Sequence, residues 1–389
     1  MKIKIRSLFF AFIILSLNAH TAFAANLNNT YVGSWLDYAQ NISEGTGSRS
    51  QPYKISKPEH LSYIAKKVNS GTTFKGCHFV LCNNIDLGGK EWIAIGSSGE
   101  VSHCKFCGAI DGANMSISNL KVDKRNQSAQ GLFGYIESAE IKNIKLCNCS
   151  INGKSDVGGI AGYSYLSSIS NCAVDGIVNG QENVGAICGR VYRGSIKQSA
   201  SSAKANGIFY AGGIAGNISR DSVVDECYSL GEVCGSGCIG GLIGININSL
   251  VKNCFSRANI VSKTYAKTYV GGLIGSNCGK LKNSFSASLI NFEADLNFKT
   301  YIPGLLVGKN SGVIKKTYYA SLKSNSNKLK PIGQGDHSNA STELQLNEKN
   351  TTKLMNSNKL FGIWGKDLWG INSKINDGLP YLLNVPLIS

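Results

Sequence analysis

Acid–base or calcium-assisted chemistry on a sugar chain needs clustered carboxylates with a basic group close by. The best candidates in this sequence are Asp86, Glu91 and Asp111. Asp86 and Asp111 recur in the same C-x-x-I-D setting, which suits a repeated structural turn better than a catalytic pair. Between Gly131 and Gly308 acids are sparse and fall at non-equivalent points, so no carboxylate cluster is expected there. The five His, at positions 20, 60, 78, 103 and 337, are scattered, and neither G-x-S-x-G nor H-E-x-x-H occurs. The Gly-rich segments lack the G-K-[ST] ending of a phosphate loop. No catalytic residue and no cofactor is assigned.

Cysteine offers a second kind of chemistry. Cys77, His78 and Cys82 precede His103-Cys104-Lys105-Phe106-Cys107, and four such ligands could hold zinc. An exported chain, argued below, favours disulfides instead. Cys82 and Cys107 lie 25 residues apart, close to the repeat length found below. Stacked in register, their backbones would be ~4.8 Å apart, inside the ~4.4–6.8 Å range of a disulfide. The expected bridge is Cys82–Cys107, with Cys77–Cys104 as its companion, and no metal site is assigned. Thirteen Cys is an odd number, so at least one thiol stays unpaired in a monomer.

Those residues are positioned by a repeat. The first Gly of each apolar-Gly signature falls at Gly131, Gly158, Gly185, Gly212, Gly240, Gly271 and Gly304, with spacings of 27, 27, 27, 28, 31 and 33. Regular spacing of this kind marks a solenoid. The units are short Val- and Ile-rich runs punctuated by Gly, Asn and Ser, which are strand and turn signals rather than helical periodicity. In Val270-Gly271-Gly272-Leu273 the apolar residues are three apart; a bend at the Gly pair lets both point inward. The expected fold is all-β: a right-handed, single-stranded parallel β-helix, with rungs ~4.8 Å apart.

Four columns follow from that repeat. Ile141, Ile169, Ile196, Val224, Val251, Leu281 and Ile314 align as an internal aliphatic stack. Three residues on, Ile144, Cys172, Ser199, Cys227, Cys254, Ser284 and Thr317 would fill a narrow interior. Immediately after the aliphatic position come Lys142, Ser170, Lys197, Asp225, Lys252, Lys282 and Lys315. Neighbouring side chains alternate faces, so these should point outward. The column is either a solvated face or a ladder for a linear polyanion. Tyr228, Phe255, Phe285 and Tyr318 form an aromatic column, expected to stack inside the coil rather than to offer planes for sugars.

The ends read as caps, which an exposed solenoid edge requires. Ser56 and Glu59 form an S-x-x-E capping box ahead of Leu61, Ile64, Ala65 and Val68, with Gly71 just past the end, predicting a short helix near residues 57–69. At the other end Phe361, Trp364, Trp369, Pro380 and Tyr381 supply bulky closure, after a polar, aperiodic stretch from Ser324 to Lys353 read as a loop-rich connection. The N-terminus, with Lys2, Lys4 and Arg6, an apolar run from Leu8 to Leu17 and Ala22-Phe23-Ala24, reads as a secretory signal peptide cleaved after Ala24. No membrane span and no lipid anchor are expected. Removing the leader lowers the net charge from +16 to +13, a surplus suited to acidic partners. The organisation is therefore residues 1–24 leader, 25–130 N-terminal cap and first turns, 131–323 repeats, and 324–389 connection and aromatic C-terminal cap.

Segments such as VGGLIG followed by LKNSFS, and IGGLIG followed by VKNCFS, resemble the GLUG-motif repeats of exported bacterial proteins. The flanks GTGSRSQPYKISKPEHLSYIAKKVNSG, NNIDLGGKEWIAIG, GAIDGANMSISNL and LWGINSKINDGLPYLL resemble those that accompany such repeats, so the likeness runs over about residues 45–383. Ala186 in place of the second Gly, GLFG alone in the Gly131 unit, and the frequent Cys depart from the pattern. The resemblance implies a secreted, cell-surface or periplasmic adhesin-like role. With Lys142, Lys197, Lys252, Lys282 and Lys315, it points to a non-catalytic protein binding an acidic polysaccharide or a cell-surface ligand. Nucleic acid is not expected as a partner. A carbohydrate-active lyase or hydrolase, and a structural spacer in a larger assembly, are the alternatives.

Overall fold

The computed structural model describes residues 33–98, 103–263, 267–292, 301–319 and 329–336, with 364, 369–370, 380–383 and 385. The leader, His20, His337, Phe361 and most of the polar connection lie outside the described residues. Residues 35–389 form one compact unit.

That unit is a parallel β-helix. One rung reads Glu182–Gly185, Cys188–Tyr192, Ser195–Lys197, Ala200–Ser201 and Lys204–Gly207, each piece pairing in parallel with its counterparts on the rungs before and after. The aliphatic column stacks as its spacing requires: Ile110 on Ile141, then Ile169, Ile196, Val224, Val251, Leu281 and Ile314. All are buried. The narrow column from Ile144 to Thr317 is buried as well, because only small or slim side chains fit where opposite walls of the coil meet.

The bend at the Gly pair is the local cause of this geometry. Thr268–Gly271 ends and Ile274–Lys282 begins on either side of it, and Val270 and Leu273 are both fully buried. A Cβ on Gly271 would overlap the carbonyl of Ile274. The backbone therefore closes on itself at this corner, and a side chain would force it open.

A helix, Pro58–Asn69, packs Leu61, Ile64, Ala65 and Val68 against the first rungs. Its cap differs from the expected box. Lys57 is the N-cap and makes no side-chain capping bond; the Ser56 backbone N–H donates to His60 Nδ1 at 3.3 Å. His60 thus does the reaching back expected of Glu59. Gly71 has φ +98° just past the C-terminus, as the sequence required.

Two expectations about the C-terminal part change. Residues Lys330–Gly335, read as loop, form one more strand on Tyr301–Asn310, with Ile332 fully buried. A lone apolar residue among Gly, Pro and Lys was too weak a signal to see. The aromatic column is not inside the coil. Cys227 belongs to the main core, whereas Tyr228, Phe255 and Phe285 form a separate buried cluster with Trp364 and Trp369. Tyr228 and Phe255 stack at 5.0 Å and 2°, Trp364 lies over Phe255, and Trp364 Nε1 donates to the Asn283 carbonyl at 2.7 Å. The rings point outward, and the C-terminal tryptophans cover them along the flank of the coil instead of closing its end.

Candidate ligand-binding face

The lysine column is one continuous line. Lys54 stacks on Val80, Val80 on Asp111, and Lys142, Ser170, Lys197, Asp225, Lys252, Lys282 and Lys315 follow in register. From Val80 onward each follows a buried inward residue, so the line faces outward. Its charges are not equally available. Lys142 Nζ lies 3.7 Å from Asp111 Oδ2 and 3.2 Å from Glu140 Oε1, Lys252 Nζ lies 3.0 Å from Asp225 Oδ2, and Lys54 Nζ lies 3.0 Å from Glu44 Oε2. Among the described residues, Lys197, Lys282 and Lys315 form no ion pair. Lys282 also lines a 580 Å³ concavity with Lys280, Asp221, Asn248, Cys278 and Ser311.

The next residue of each rung explains how the lysines are held. Asn143, Asn171, Gln198, Glu226, Asn253, Asn283 and Lys316 all have positive φ, between 47° and 58°. Asn and Asp enter this left-handed region most readily after Gly. Their side chains form a ladder: Asn143 Nδ2 donates to Asp111 Oδ1 at 2.8 Å, Asn171 to Asn143 Oδ1 at 2.6 Å, and Asn253 to Asp225 Oδ1 at 2.9 Å. With Gln198 donating to Glu226 at 3.0 Å and Asn283 to Asn253 at 3.4 Å, this ladder fixes the corner beside Lys142, Lys197, Lys252 and Lys282. Sequence reasoning passed over it, although K-N, S-N and K-N dipeptides at the rung spacing were the visible signal.

Asp86, Glu91 and Asp111 are spent on local structure. Asp86 Oδ1 accepts from the Gly88 N–H and from Asn119 Nδ2, both at 2.8 Å. Asp111 Oδ1 accepts from the Ala113 N–H at 2.8 Å, and Glu91 pairs with Lys124 at 2.6 Å.

The cysteine pairing is corrected by the register. Phe79 stacks on Ile110, and Ile85 on Ile117. The first rung is therefore longer than the 25-residue match implied: it carries an added antiparallel pair, Ser97–Ser98 with His103–Cys104, while Glu91, Ile95 and Phe106 still pair in parallel with Lys121, Phe133 and Ile136. Cys82 does not stack on Cys107. Cys104 lies on that antiparallel pair, where its thiol reaches the Asn69 carbonyl at 3.5 Å. Cys77, Cys82 and Cys107 are free thiols. Burial pushes the thiols of Cys149 and Cys172 up to about 12. Among the described residues no three His, Cys, Asp or Glu side chains gather as metal ligands.

A parallel coil whose rungs turn at a Gly pair and carry an outward basic line defines a solenoid of the repeat-protein class. Residues 153–179 and 235–261 match the GLUG motif. The chain is 32% identical over 145 residues to halomucin of Haloquadratum walsbyi, covering 34% of this chain and 2% of halomucin. It is 28% identical over 141 residues to a Gly-rich membrane protein of Evansella cellulosilytica, covering 34% of this chain and 15% of that protein. The fold is similar to the crystal structure of a candidate immunoglobulin A1 protease from Bacteroides ovatus, with a TM-score of 0.57 and 19% identity over 89% of this chain and 96% of the other.

Proposed function

We propose that this is a secreted or cell-surface binding protein, adhesin-like and non-catalytic, that holds an acidic polysaccharide along its lysine column. One observation carries the reading: Lys197, Lys282 and Lys315 stand on a single outward line without ion pairs among the described residues. Rungs ~4.8 Å apart are close to the length of one sugar unit, so repeated carboxylates or sulfates can meet successive rungs. The concavity beside Lys280 and Lys282 gives one anionic group a polar seat. The strongly basic composition supports the same partner, and likeness to a relative named as a membrane protein fits a place at the cell surface.

Heparin chromatography tests it. Changing Lys197, Lys282 and Lys315 together to Gln should release the protein at much lower salt, because such contacts are screened within about 8–10 Å at physiological ionic strength. The control changes Lys66, Lys121 and Lys154, three exposed lysines off the column. Equal loss from the two triples would reduce the effect to bulk charge and sink the proposal.

A further inference from the structure

One corner before the lysine column, the outward positions carry a different chemistry. On Phe133–Glu137, Ala161–Tyr165 and Cys188–Tyr192 the register lines up Tyr135, Tyr163 and Arg190, and beside them Glu137, Tyr165 and Tyr192. The alternate residues Ile136, Ser164 and Val191 are fully buried, so the tyrosines and Arg190 project out of the coil. Tyr135 and Tyr163 stack at 5.1 Å and 19°, and the Arg190 guanidinium lies 5.8 Å from the Tyr163 ring centre. Tyr165 and Tyr192 are 5.7 Å apart but tilted by 52°, so they do not cover each other's faces. Tyr163, Tyr165 and Tyr192 are half-buried.

The charges of this patch are matched within it. Glu137 accepts hydrogen bonds from Lys105 Nζ and from the Tyr135 hydroxyl, both at 2.8 Å. Arg190 Nε lies 3.0 Å from Asp156 Oδ1, short of a hydrogen-bonding angle, and Asp156 also accepts from Asn183 Nδ2 at 2.7 Å. Left-handed residues at the corner, Ser138, Leu166 and Arg193, separate the patch from the lysine column on the next strand.

We infer that this tyrosine–arginine array is a binding platform for an uncharged pyranose chain. Aromatic rings take the C–H faces of a sugar, while their hydroxyls and a guanidinium take its polar edge. Internal charge matching leaves nothing to reward an anionic ligand, which would go instead to the lysines. Successive sugars would meet successive rungs, the tilted Tyr165–Tyr192 pair supplying the open ring faces. The platform stands apart from the lysine column and does not depend on it.

Titration calorimetry of the purified protein with soluble hydroxyethylcellulose, galactomannan and laminarin tests the assignment. At least one should bind, with affinity unchanged between about 0.1 and about 1 M salt, since no counter-ion is displaced. Tyr165→Ala with Tyr192→Ala should weaken binding at least tenfold, whereas Tyr165→Phe with Tyr192→Phe keeps the ring faces and most of the affinity. The triple lysine variant should bind these polymers like the parent, which separates this site from the polyanion reading. If the double alanine variant melts early, Tyr192→Ala alone gives the same readout. Failure of all three polymers to bind, or an unchanged Kd in a folded tyrosine variant, overturns the inference.

Discussion

At the scale of single residues, the thiols and the ladder amides make the sharpest tests. Cys82 and Cys278 are exposed, while seven of the thirteen cysteines are buried. Only thiolates react, and thiols raised to about 12, as at Cys149 and Cys172, are almost wholly protonated at neutral pH. A disulfide-exchange reagent should therefore modify Cys82 and Cys278 first in the native protein and reach the buried thiols only on denaturation; mass mapping of the early products checks this. The ladder test uses Asn253, at φ 54°, which donates to Asp225 and accepts from Asn283 at 3.4 Å. Asn253→Ala loses both bonds and places a Cβ without local hydrogen bonding in the left-handed region, at a cost of about 1–3 kcal/mol. Asn253→Gly loses the bonds but relaxes the backbone, so it should melt above the Ala variant. The reverse order of Tm would mean that the left-handed turn does not set the choice of Asn.

At the scale of elements, the C-terminal tryptophans behave as a strap over the aromatic column. Trp364 and Trp369 are 1% and 2% exposed, and they contact Tyr228 and Phe255 rather than the main interior. Truncating a buried Trp typically costs about 3–5 kcal/mol, but here that energy holds the strap and not the rungs. Trp364→Ala with Trp369→Ala should raise the fluorescence of a bound apolar dye strongly, while far-ultraviolet dichroism and the main melting transition stay near the parent's. A collapse of the main transition would show that the strap is integral to the coil. Legibility divides along the same line. The Gly spacing and the inward Ile column were readable because each depends on contacts within or between similar rungs, and the capping helix because its apolar spacing and its Gly71 stop are local. The strap was not, because Trp364 meets Phe255 across a hundred residues with no periodicity linking them. Cys82–Cys107 failed for a related reason: two matching pentapeptides resemble a rung, but the added antiparallel pair between them changes the register. In the candidate face the five lysines were legible from spacing, whereas their ion pairs were not. Asp111 and Asp225 neutralise Lys142 and Lys252 only because stacking brings adjacent rungs together.

At the scale of the whole molecule, a solenoid's stability is close to a sum over rungs and the interfaces between neighbours. Gly158 and Gly185 occupy the same place in adjacent rungs. Deleting residues 158–184 should therefore join two equivalent backbones and leave a shorter coil with every column lysine in place. The variant is expected to fold, with a strand dichroism like the parent's, and to stay on heparin at nearly the parent's salt. It should lose the neutral-polysaccharide platform, since Tyr163 and Tyr165 go with the deleted rung. An unfolded product would mean that rungs of this chain are not interchangeable.

The parallel register also has a mechanical meaning. Ile169 lies over Ile196 and Ile196 over Val224, so a pull on one terminus loads the hydrogen bonds of the outermost rung alone before any other is strained. A tether built this way yields in steps rather than at once. Each step should release one rung, about 27 residues or roughly 90 Å of extended chain. Single-molecule stretching should give a run of small, evenly spaced force peaks. A protein that holds a surface under flow would then shed load by paying out length while the remaining rungs keep their grip.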